Sequence, residues 1–469
     1  MQTERTFDLV ILGCGPAGEK AAAQAAYFGK RVAVLDPGPI GGTCVHTGTL
    51  PSKSLREAAL VLSGARALDL QAVQVAVDRR ARLADLLAHK AAVCNAEEAR
   101  MRANLDRHGV TLLLGRGVLL GEHSVQWQPN GGGPAVTLQA DVILIATGTH
   151  PFRPTNLAFD HARIWDSDEV VEMAELPRSL LVYGAGVIGC EYASIFGALG
   201  VAVTLVEPRD KVLGFLDDAI SQALTDAFER NGITIRRGET LGAVSVDDEG
   251  VDVELRGAAG ASHHRFEQLL YAAGRSGNTA GLGLETVGLQ PDKRGLLRVD
   301  DRYRTGVARI YAVGDIIGFP ALASTSMDQG RLAVCDAFGF EYKKHIAALL
   351  PYGIYTIPEV SMVGETCESL RAAGRDFEIG VARYGDNARA RLQGEREGLL
   401  QLVFCPHSRA LLGVHIVGGF ASELIHVGML TIQLGGTIDA LVDAVFNFPT
   451  LGELYKYAAY DGLGRLARR

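Results

Sequence analysis

The sequence lacks long hydrophobic runs, blocks of like charge and paired cysteines. No apolar stretch reaches 18 residues, which excludes a membrane-spanning helix, and the N-terminus has no basic start before an apolar run, which argues against a signal peptide. Acidic and basic residues are interspersed at a net charge of −8, so neither nucleic acid nor an anionic membrane is an expected main partner. The seven cysteines show no CxxC and no paired rhythm. This pattern argues against a disulfide framework and favours a reducing, cytoplasmic location; no metal site is predicted.

The composition is that of a globular, multidomain chain. The 469 residues exceed one ordinary core and predict about three domains. Hydrophobic residues make up 48% and charged residues 21%, and the unusual feature is the 56 glycines. The glycines cluster in tight turns rather than in a repeat.

Residues 7–36 have the pattern strand, glycine turn, helix, strand and acid. The turn holds three glycines with the spacing GxGxxG, namely Gly13, Gly15 and Gly18. Asp36 follows the second strand. This order is typical of a dinucleotide-binding unit, in which the glycines allow a pyrophosphate to approach the helix N-terminus and the acid binds ribose hydroxyls.

Residues 180–207 repeat the same unit, with Gly184, Gly186, Gly189 and Glu207. In both copies the acid follows the first glycine by 23 residues (36 − 13 and 207 − 184). One GxGxxG motif alone also occurs in ordinary tight turns, but two complete units with the same offset favour two dinucleotide sites. In an enzyme this suggests a flavin together with a nicotinamide nucleotide.

Other segments support this arrangement. One buried strand ends in Ala146-Thr147-Gly148, where the chain is expected to cross between domains, and another ends in Gly314-Asp315. Asp315 fits a contact with a sugar or ribitol hydroxyl and fits equally well a cap of the next helix. Residues 83–107 show helical spacing of apolar residues, explained by core or inter-subunit packing. Strands at 377–384, 397–404 and 411–417 predict an α+β domain from residue 346 onward.

Together these residues resemble the flavoprotein disulfide reductases, the family of lipoamide dehydrogenase, glutathione reductase and mercuric reductase. The resemblance covers essentially the whole chain. Its landmarks are the two glycine turns, the loop 41–53, residues 146–148, Gly274-Arg275, Gly314-Asp315, residues 355–359 and residues 449–453.

The resemblance implies an α/β fold with two Rossmann-like dinucleotide-binding domains, for FAD and NAD(P), and a C-terminal α+β dimerisation domain. The expected parts are 1–150 (FAD-binding domain, first part), 151–274 (NAD(P)-binding domain), 275–345 (return segment of the FAD-binding and central region) and 346–469 (dimerisation domain). A homodimer, or a higher assembly, is expected.

Two departures from the family concern the sulfur chemistry. The family has two cysteines where this chain has Cys44 and Thr49, and a histidine where this chain has Phe448; Glu453 is retained. A dithiol relay needs both sulfurs and a base that makes the thiolate. The joint loss indicates that the relay is not used, and that the loop is kept because it packs against the flavin and carries Lys53.

The chain resembles a branch of this family that has the same cysteine–hydroxyl loop and an aromatic residue in place of the histidine. This implies an FAD enzyme that transfers hydride between NAD(H) and NADP(H) by a ping-pong cycle through flavin N5. One alternative is an NADH-dependent reductase of a quinone, oxygen or another non-disulfide acceptor. A further alternative is a non-catalytic flavin-binding protein.

The resemblance also assigns site residues. The FAD residues are Gly13, Gly15, Gly18, Asp36, Gly42, Thr43, Lys53, Thr147, Gly148, Gly314 and Asp315. The nicotinamide nucleotide residues are Gly184, Gly186, Gly189, Glu207, Arg209, Gly274 and Arg275. The candidate catalytic residues are Lys53, Glu191, Thr49 and Cys44.

The resemblance also implies roles for individual residues. Lys53 is expected near flavin N5 and paired with Glu191, the alternative being a solvated loop lysine. Thr49 either hydrogen-bonds the isoalloxazine edge or packs the loop. For Cys44 and His46 a structural role is favoured over a catalytic one.

Three further positions bear on the substrates. Glu207 should accept the ribose 2′-hydroxyl of NAD and repel the 2′-phosphate of NADP, although Arg209 could reach that phosphate; the sequence therefore favours NADH. Val187 stands where some family members have a gating tyrosine, so nicotinamide entry should be less obstructed. Phe448 should present its ring to the flavin of the partner subunit.

Overall fold

The computed structural model describes residues 5–63, 79–395 and 397–469, with the main chain only at 79–82. The first segment is an α/β unit. Its elements are β1 (Arg5–Leu12), α1 (Pro16–Tyr27), β2 (Val32–Asp36), α2 (Gly42–His46), α3 (Thr49–Leu62), α4 (Arg79–Arg107), β3 (Thr111–Gly121), β4 (Ser124–Pro129), β5 (Val136–Ile145) and β6 (Thr149–Pro151).

The second segment carries a second α/β unit. Its elements are β7 (Ile164–Trp165), β8 (Ser179–Tyr183), α5 (Val187–Ala198), β9 (Ala202–Glu207), α6 (Asp218–Arg230), β10 (Thr234–Arg237), β11 (Thr240–Val246), β12 (Val251–Gly257), β13 (Gly260–Phe266) and β14 (Gln268–Tyr271). The chain then returns to the first unit through β15 (Arg275–Gly277), β16 (Ile310–Ala312) and α7 (Ala323–Phe338).

The C-terminal segment is α+β. Its elements are β17 (Tyr352–Ile354), β18 (Val360–Gly364), α8 (Cys367–Ala372), β19 (Glu378–Arg383), α9 (Ala388–Leu392), β20 (Leu399–Phe404), β21 (Leu411–Val417), α10 (Ala421–Gln433), α11 (Ile438–Asp443) and α12 (Glu453–Leu466). Short 3-10 helices lie at Val170–Glu172, Leu284–Val287, Gly314–Ile317 and Tyr384–Asp386.

Both dinucleotide units are built on parallel sheets. In the first, β3, β2, β1, β5 and β16 pair in parallel in that order, and β4 joins β3 to β5 antiparallel. In the second, the order β10-β9-β8-β14-β7 is parallel throughout. The central strands β1, β2 and β8 are apolar and largely buried, as strands covered on both faces must be. The carboxyl ends of these strands meet at one edge of each sheet, where the sites lie.

The α/β fold and the α+β C-terminal segment expected from the sequence are confirmed. The predicted C-terminal strands match β19, β20 and β21, which belong to an antiparallel sheet of order β17-β18-β21-β20-β19. The apolar pattern at 83–107 lies on α4, where Leu86 and Leu105 are buried in the core of this chain. No helix in the described ranges is long and apolar enough to cross a membrane.

The predicted domain bounds fall between elements, with one exception. Strand β6 spans the bound at residue 150, and it pairs antiparallel with β15, Thr149 lying opposite Gly277 and Pro151 opposite Arg275. The chain therefore leaves and re-enters the first unit at the same place. The bounds themselves remain predictions.

Candidate cofactor and nucleotide sites

The two glycine turns have the same local geometry. Gly13 has φ of 102° and Gly184 has φ of 104°, a conformation that L side chains rarely adopt. A Cβ on Gly13 would also lie 2.4 Å from the carbonyl oxygen of Ala146, and one on Gly184 would lie 2.9 Å from that of Ala272. Glycine is therefore required at the start of each turn.

The other glycines of each turn divide between packing and open space. A Cβ on Gly18 would lie 2.0 Å from the oxygen of Gly13, and one on Gly189 would lie 1.8 Å from that of Gly184, so each helix touches its own turn. By contrast, a Cβ on Gly15 or Gly186 would have no described atom within 4 Å. These two residues are the N-caps of α1 and α5, and neither has a side-chain cap in the described chain. Each unit thus leaves room for a phosphate at a helix N-terminus.

The two acids are held by equivalent backbone donors. Asp36 accepts hydrogen bonds from the amides of Cys14 (2.5 Å) and Gly38 (2.6 Å). Glu207 accepts from the amides of Ala185 (2.8 Å) and Arg209 (3.1 Å). Each acid is thereby fixed beside its glycine turn, in the position predicted for a ribose contact. Burial raises the pKa of Asp36, and these two amides oppose the rise.

The first unit opens into a cleft that brings together nearly all the residues predicted for FAD. The predicted residues that line it are Gly13, Gly15, Asp36, Gly42, Thr43, Cys44, Thr49, Thr147, Gly148, Gly314 and Asp315. Gly18 lies behind the turn, and Lys53 lies on α3 next to the cleft wall. Asp315 is in the 3-10 helix Gly314–Ile317, whereas α7 begins at Ala323 with Leu322 as its N-cap, so the contact with a sugar or ribitol hydroxyl is the better-fitting of the two roles.

Lys53 and Glu191 form the ion pair expected from the sequence. The Nζ of Lys53 lies 2.8 Å and 2.7 Å from the two carboxylate oxygens of Glu191, which is almost fully buried on α5. The amide of Tyr355 also donates to Glu191 (2.9 Å), and the Tyr355 ring lies 4.9 Å from the Lys53 ammonium. The pair therefore ties α3 of the first unit, α5 of the second and the loop after β17.

Cys44 and Thr49 face each other across the start of α3. Burial raises the pKa of the Cys44 thiol, and a hydrogen bond with the Thr49 hydroxyl opposes the rise. All seven cysteines lie in the described ranges and are free. Cys44 is half-buried, and a thiol with a raised pKa is a poor nucleophile at neutral pH.

Two arginines that were predicted to bind the nicotinamide nucleotide, Arg209 and Arg275, make hydrogen bonds to other residues of the chain. Arg209 folds back on Glu207, its Nε 2.6 Å from Oε1, with its side chain 68% exposed against 2% for Glu207. Arg275 turns toward the first unit: its Nε donates to Oγ1 of Thr149 (2.8 Å) and its Nη2 to the Thr149 carbonyl (2.9 Å). Gly274, with φ of 125°, is adjacent.

The remaining predicted positions are placed as follows. His46 lies 2.8 Å from the carbonyl of Ile40 and 3.6 Å from a carboxylate oxygen of Glu98, which anchors the loop to α4. Val187 opens α5 and Glu453 opens α12. Phe448 is 76% exposed on the surface of the C-terminal segment.

Sequence reasoning missed several residues that line the first cleft: Pro16, Ala17, Ala146, Thr149, Ala321, Ala323 and Ser326. A signal existed for some of them. Pro16 and Ala17 lie inside the first glycine turn, and Ala146 and Thr149 flank Thr147-Gly148. Ala321, Ala323 and Ser326 carry no local motif and enter the cleft only because α7 packs beside α1.

Residues 7–330 match the family described as pyridine nucleotide-disulphide oxidoreductase, and residues 350–459 match the dimerisation domain of that family. The chain belongs to this family. The chain is 44% identical over 463 residues to the soluble pyridine nucleotide transhydrogenase of Mycobacterium tuberculosis (strain ATCC 25177 / H37Ra), and the match covers 98% of each chain. The match to the dimerisation domain supports the predicted homodimer.

Another curated protein and two solved structures are also similar to this chain. The chain is 41% identical over 475 residues to the soluble pyridine nucleotide transhydrogenase of Yersinia pestis (strain Pestoides F), covering 99% of this chain and 100% of the other. Among solved structures, LpdA from Mycobacterium tuberculosis superposes with a TM-score of 0.88 at 29% identity, covering 97% and 99%. The HOCl-induced flavoprotein disulfide reductase RclA from Escherichia coli gives 0.86 at 25% identity, also covering 97% and 99%.

Proposed function

We propose that the protein is an FAD-dependent transhydrogenase, which moves hydride between NAD(H) and NADP(H). Its similarity to soluble pyridine nucleotide transhydrogenases supports the reaction. The observation that carries the proposal is the arrangement around the Lys53–Glu191 pair. Two equivalent dinucleotide cradles, each made of a glycine turn and the acid that follows it, lie on either side of this pair. Thr49 stands in place of the second thiol that a disulfide relay would need.

The first cradle fits FAD. The open space at Gly15 and the N-terminus of α1 suit a pyrophosphate, Asp36 suits a ribose, and Asp315 suits a ribitol hydroxyl. Gly42 lies against this turn, since a Cβ on it would be 3.6 Å from the Cα of Gly15. When bound, FAD supplies the redox chemistry, because it can accept a hydride from one nicotinamide and return it to another.

The chain's own residues bind, orient and hold charge. Gly186 and Glu207 would hold the nicotinamide nucleotide in the second cradle, and the substrates would take turns there. The carboxylate of Glu191 fixes the Nζ of Lys53 next to the first cleft, where a cation offsets negative charge that develops during hydride transfer. Thr49 and Cys44 line the cleft, and the raised pKa of Cys44 keeps its thiol protonated at neutral pH.

An NADH-dependent reductase of another acceptor is the second candidate. Glu207 is the observation that favours it, since a buried carboxylate at this position suits the 2′-hydroxyl of NADH better than the 2′-phosphate of NADPH.

An acceptor comparison separates the candidates. The FAD-loaded protein is given NADH as donor, and thio-NADP⁺, a soluble quinone, lipoamide and oxidised glutathione in turn as acceptors. We expect thio-NADP⁺ to be reduced with parallel-line, ping-pong kinetics and the two disulfides to be left untouched. Turnover of the quinone with no reduction of thio-NADP⁺ would favour the second candidate, and disulfide turnover that Cys44→Ser abolishes would refute both.

The location of the protein in the cell is also inferred. We infer a cytoplasmic location, supported by the word soluble in the relatives' names and by seven free cysteines. Fractionation of cells that carry a tagged copy tests this inference.

A further inference from the structure

We infer that Arg275 is a positioning residue for FAD in the first cleft rather than a ligand of the nicotinamide nucleotide. The inference rests on the proposed placement of FAD beside Gly13 and Asp36. It concerns the residue that follows Gly274, for which family resemblance implies the opposite role.

Two of the three hydrogen bonds of Arg275 are directed to Thr149 of the first unit. Its Nε and Nη2 hold the hydroxyl and the carbonyl of Thr149, at 2.8 Å and 2.9 Å, and Thr149 is a buried residue of the cleft wall. Its Nη1 lies 3.3 Å from Oγ of Ser167 and 3.5 Å from Oδ1 of Asp168. Each nitrogen of the guanidinium that can donate is thus in contact with a group outside the second glycine turn.

Arg275 also favours the ionised form of Asp315, a residue that lines the cleft. Burial raises the pKa of Asp315, and the positive charge of Arg275 is the largest opposing effect, followed by hydrogen bonds from Ser326 and Thr149. The titratable and charged groups around Asp315 are Cys44 from α2 and Arg275 from β15. Ser326 from α7 and Thr149 from β6 face it with hydroxyls. An ionised Asp315 accepts a stronger hydrogen bond from a hydroxyl group than a protonated Asp315 does.

The same guanidinium is linked to α2, which carries Cys44, through two other residues. Burial raises the pKa of Asp168, the charge of Arg275 opposes the rise, and a hydrogen bond from Thr47, the C-cap of α2, acts in the same direction as Arg275. The hydroxyl of Thr43 on α2 lies 3.4 Å from the Thr149 carbonyl that Arg275 also holds. Arg275 therefore contacts Thr149 and Asp168, and each of these residues is hydrogen-bonded to α2 or its C-cap.

The buried hydroxyl of Tyr192, close to Asp168 and Arg275, is a further polar group of this site. Tyr192 follows Glu191 on α5, is almost fully buried, and its Oη has no hydrogen-bond partner among the described residues. Asp168 and Arg275 are the charged groups that act on it besides Glu191. Arg275 thus acts on Tyr192, the neighbour of Glu191 in the chain, as well as on Asp315.

The test compares Arg275→Met, which removes the charge, with Arg275→Lys, which keeps the charge and loses the fork. FAD binding to the apoprotein is followed by flavin fluorescence, and release of FAD is followed as the pH is lowered. For Arg275→Met we expect FAD to bind about tenfold or more weakly and to be released at a higher pH than from wild type, because Asp315 then protonates more readily. Arg275→Lys should bind FAD more weakly but release it at a pH close to that of wild type.

Arg294→Met is the matched control, because Arg294 is an exposed arginine whose Nη1 lies 3.7 Å from the position of a Cβ on Gly274. It should release FAD as wild type does. In FAD-loaded Arg275→Lys, the KM for NADH should stay within about threefold of wild type, since the lost fork bonds hold Thr149 and not the nucleotide.

The outcomes are distinct from those that test the proposed function. If Arg275→Met releases FAD along the wild-type curve, or if FAD affinity is unchanged while the KM for NADH rises about tenfold or more, the inference is wrong. If Arg275→Met does not fold, Arg275→Lys decides, and wild-type FAD affinity in that variant overturns the inference. A wild-type apoprotein that binds no FAD would instead refute the proposed function.

Discussion

At the scale of single residues, we expect Glu207 and Arg209 to determine which nucleotide the second cradle prefers. Burial raises the pKa of Glu207, but hydrogen bonds from Arg209 and from the Ala185 amide outweigh it and hold the pKa below its ordinary value. Glu207 is therefore ionised at neutral pH and repels a 2′-phosphate. The exposed guanidinium of Arg209 is next to it and can pair with phosphate in a bidentate manner.

We predict that NADH reduces the flavin with a higher kcat/KM than NADPH does, by roughly 5- to 150-fold, equivalent to about 1–3 kcal/mol. Glu207→Gln should narrow the gap, mainly by raising kcat/KM for NADPH. Arg209→Ala should widen it with little effect on NADH. Stopped-flow reduction of the flavin with each nucleotide measures kcat/KM for NADH and for NADPH. A wild-type preference for NADPH that Glu207→Gln leaves unchanged would show that Glu207 does not face the ribose.

A second prediction concerns thiol reactivity. The pKa of Cys44 is raised by burial, while hydrogen bonds from the hydroxyl of Ser408 and the amides of Ser408 and His407 lower that of Cys405. At pH 7 iodoacetamide should therefore alkylate Cys405 at least about tenfold faster than Cys44, since the thiolate is the reacting form. Alkylation of Cys44 should become fast only above its ordinary pKa of 9.0. Peptide mass spectrometry over a pH series gives both rates, and prior modification of Cys44 at neutral pH would contradict the expected inert thiol.

Sequence spacing located the two acids, but not the directions of the neighbouring arginines. The offset of 23 residues identified Asp36 and Glu207 because a strand of fixed length must deliver the acid to the edge of the sheet. Arg209 and Arg275 are long side chains whose orientation depends on the acceptors within reach, namely Glu207 for one and Thr149 for the other. Thr149 meets Arg275 through the packing of distant segments, which spacing does not encode, whereas Glu207 is only two residues from Arg209 and is one of several acceptors within the reach of that side chain.

At the scale of elements, each glycine turn combines a glycine that packs against the backbone, where no side chain fits, with a glycine that borders empty space, where a ligand can bind. The third glycine touches the first, while the middle glycine faces empty space at the helix N-terminus. Stability and ligand binding therefore depend on different residues of the same short turn.

Substitution should separate these two roles. Gly18→Ala places a methyl group 2.0 Å from the Gly13 oxygen and should lower the free energy of unfolding of the apoprotein by about 1–3 kcal/mol. Gly15→Ala should unfold like wild type but lose FAD, because its methyl group enters the space for the pyrophosphate. Urea unfolding and flavin content measure the two effects, and full flavin content in Gly15→Ala would contradict the placement of FAD in this cradle.

The strands that flank the glycine turns of the two parallel sheets were predictable, and the antiparallel addition was not. Strands β1, β2, β8 and β9 follow from apolar runs that bracket a glycine turn. The strands β11, β12 and β13, which form their own three-stranded sheet, were missed although Val251, Val253 and Leu255 alternate with polar residues. Alternation over so few residues is also compatible with loops, and only packing on the second parallel sheet selects the strand.

At the scale of the whole molecule, the C-terminal segment exposes a large apolar surface. Its members on α10, on α12 and in the intervening loop are Val427, Leu430, Leu434, Val445, Phe448, Tyr457 and Tyr460. Exposed apolar surface of this kind marks an interface, and the segment matches the dimerisation domain of the family. A two-fold dimer through this surface would bring Phe448 to the partner's site.

Dimerisation should therefore be required for activity. Leu430→Glu places a charge on the exposed face of α10 and should yield an inactive monomer, because each site then lacks the segment that carries Phe448. Leu120→Glu on β3, an exposed leucine far along the chain in the first unit, serves as control and should stay dimeric. Sedimentation velocity with activity assays tests this; a wild-type protein that is monomeric and fully active would exclude it.

The proposed cycle requires that electrons enter and leave the protein through nicotinamide alone, with no sulfur relay. It can be tested by an anaerobic titration of the holoenzyme with NADH, followed by addition of thio-NADP⁺. We predict that full reduction takes two electrons per FAD and that thio-NADP⁺ then reoxidises the flavin completely. No long-wavelength charge-transfer band should form, because Thr49 replaces the thiolate that would produce it. An endpoint of four electrons with a charge-transfer band, or reduced flavin that thio-NADP⁺ leaves unchanged, would contradict a cycle without sulfur.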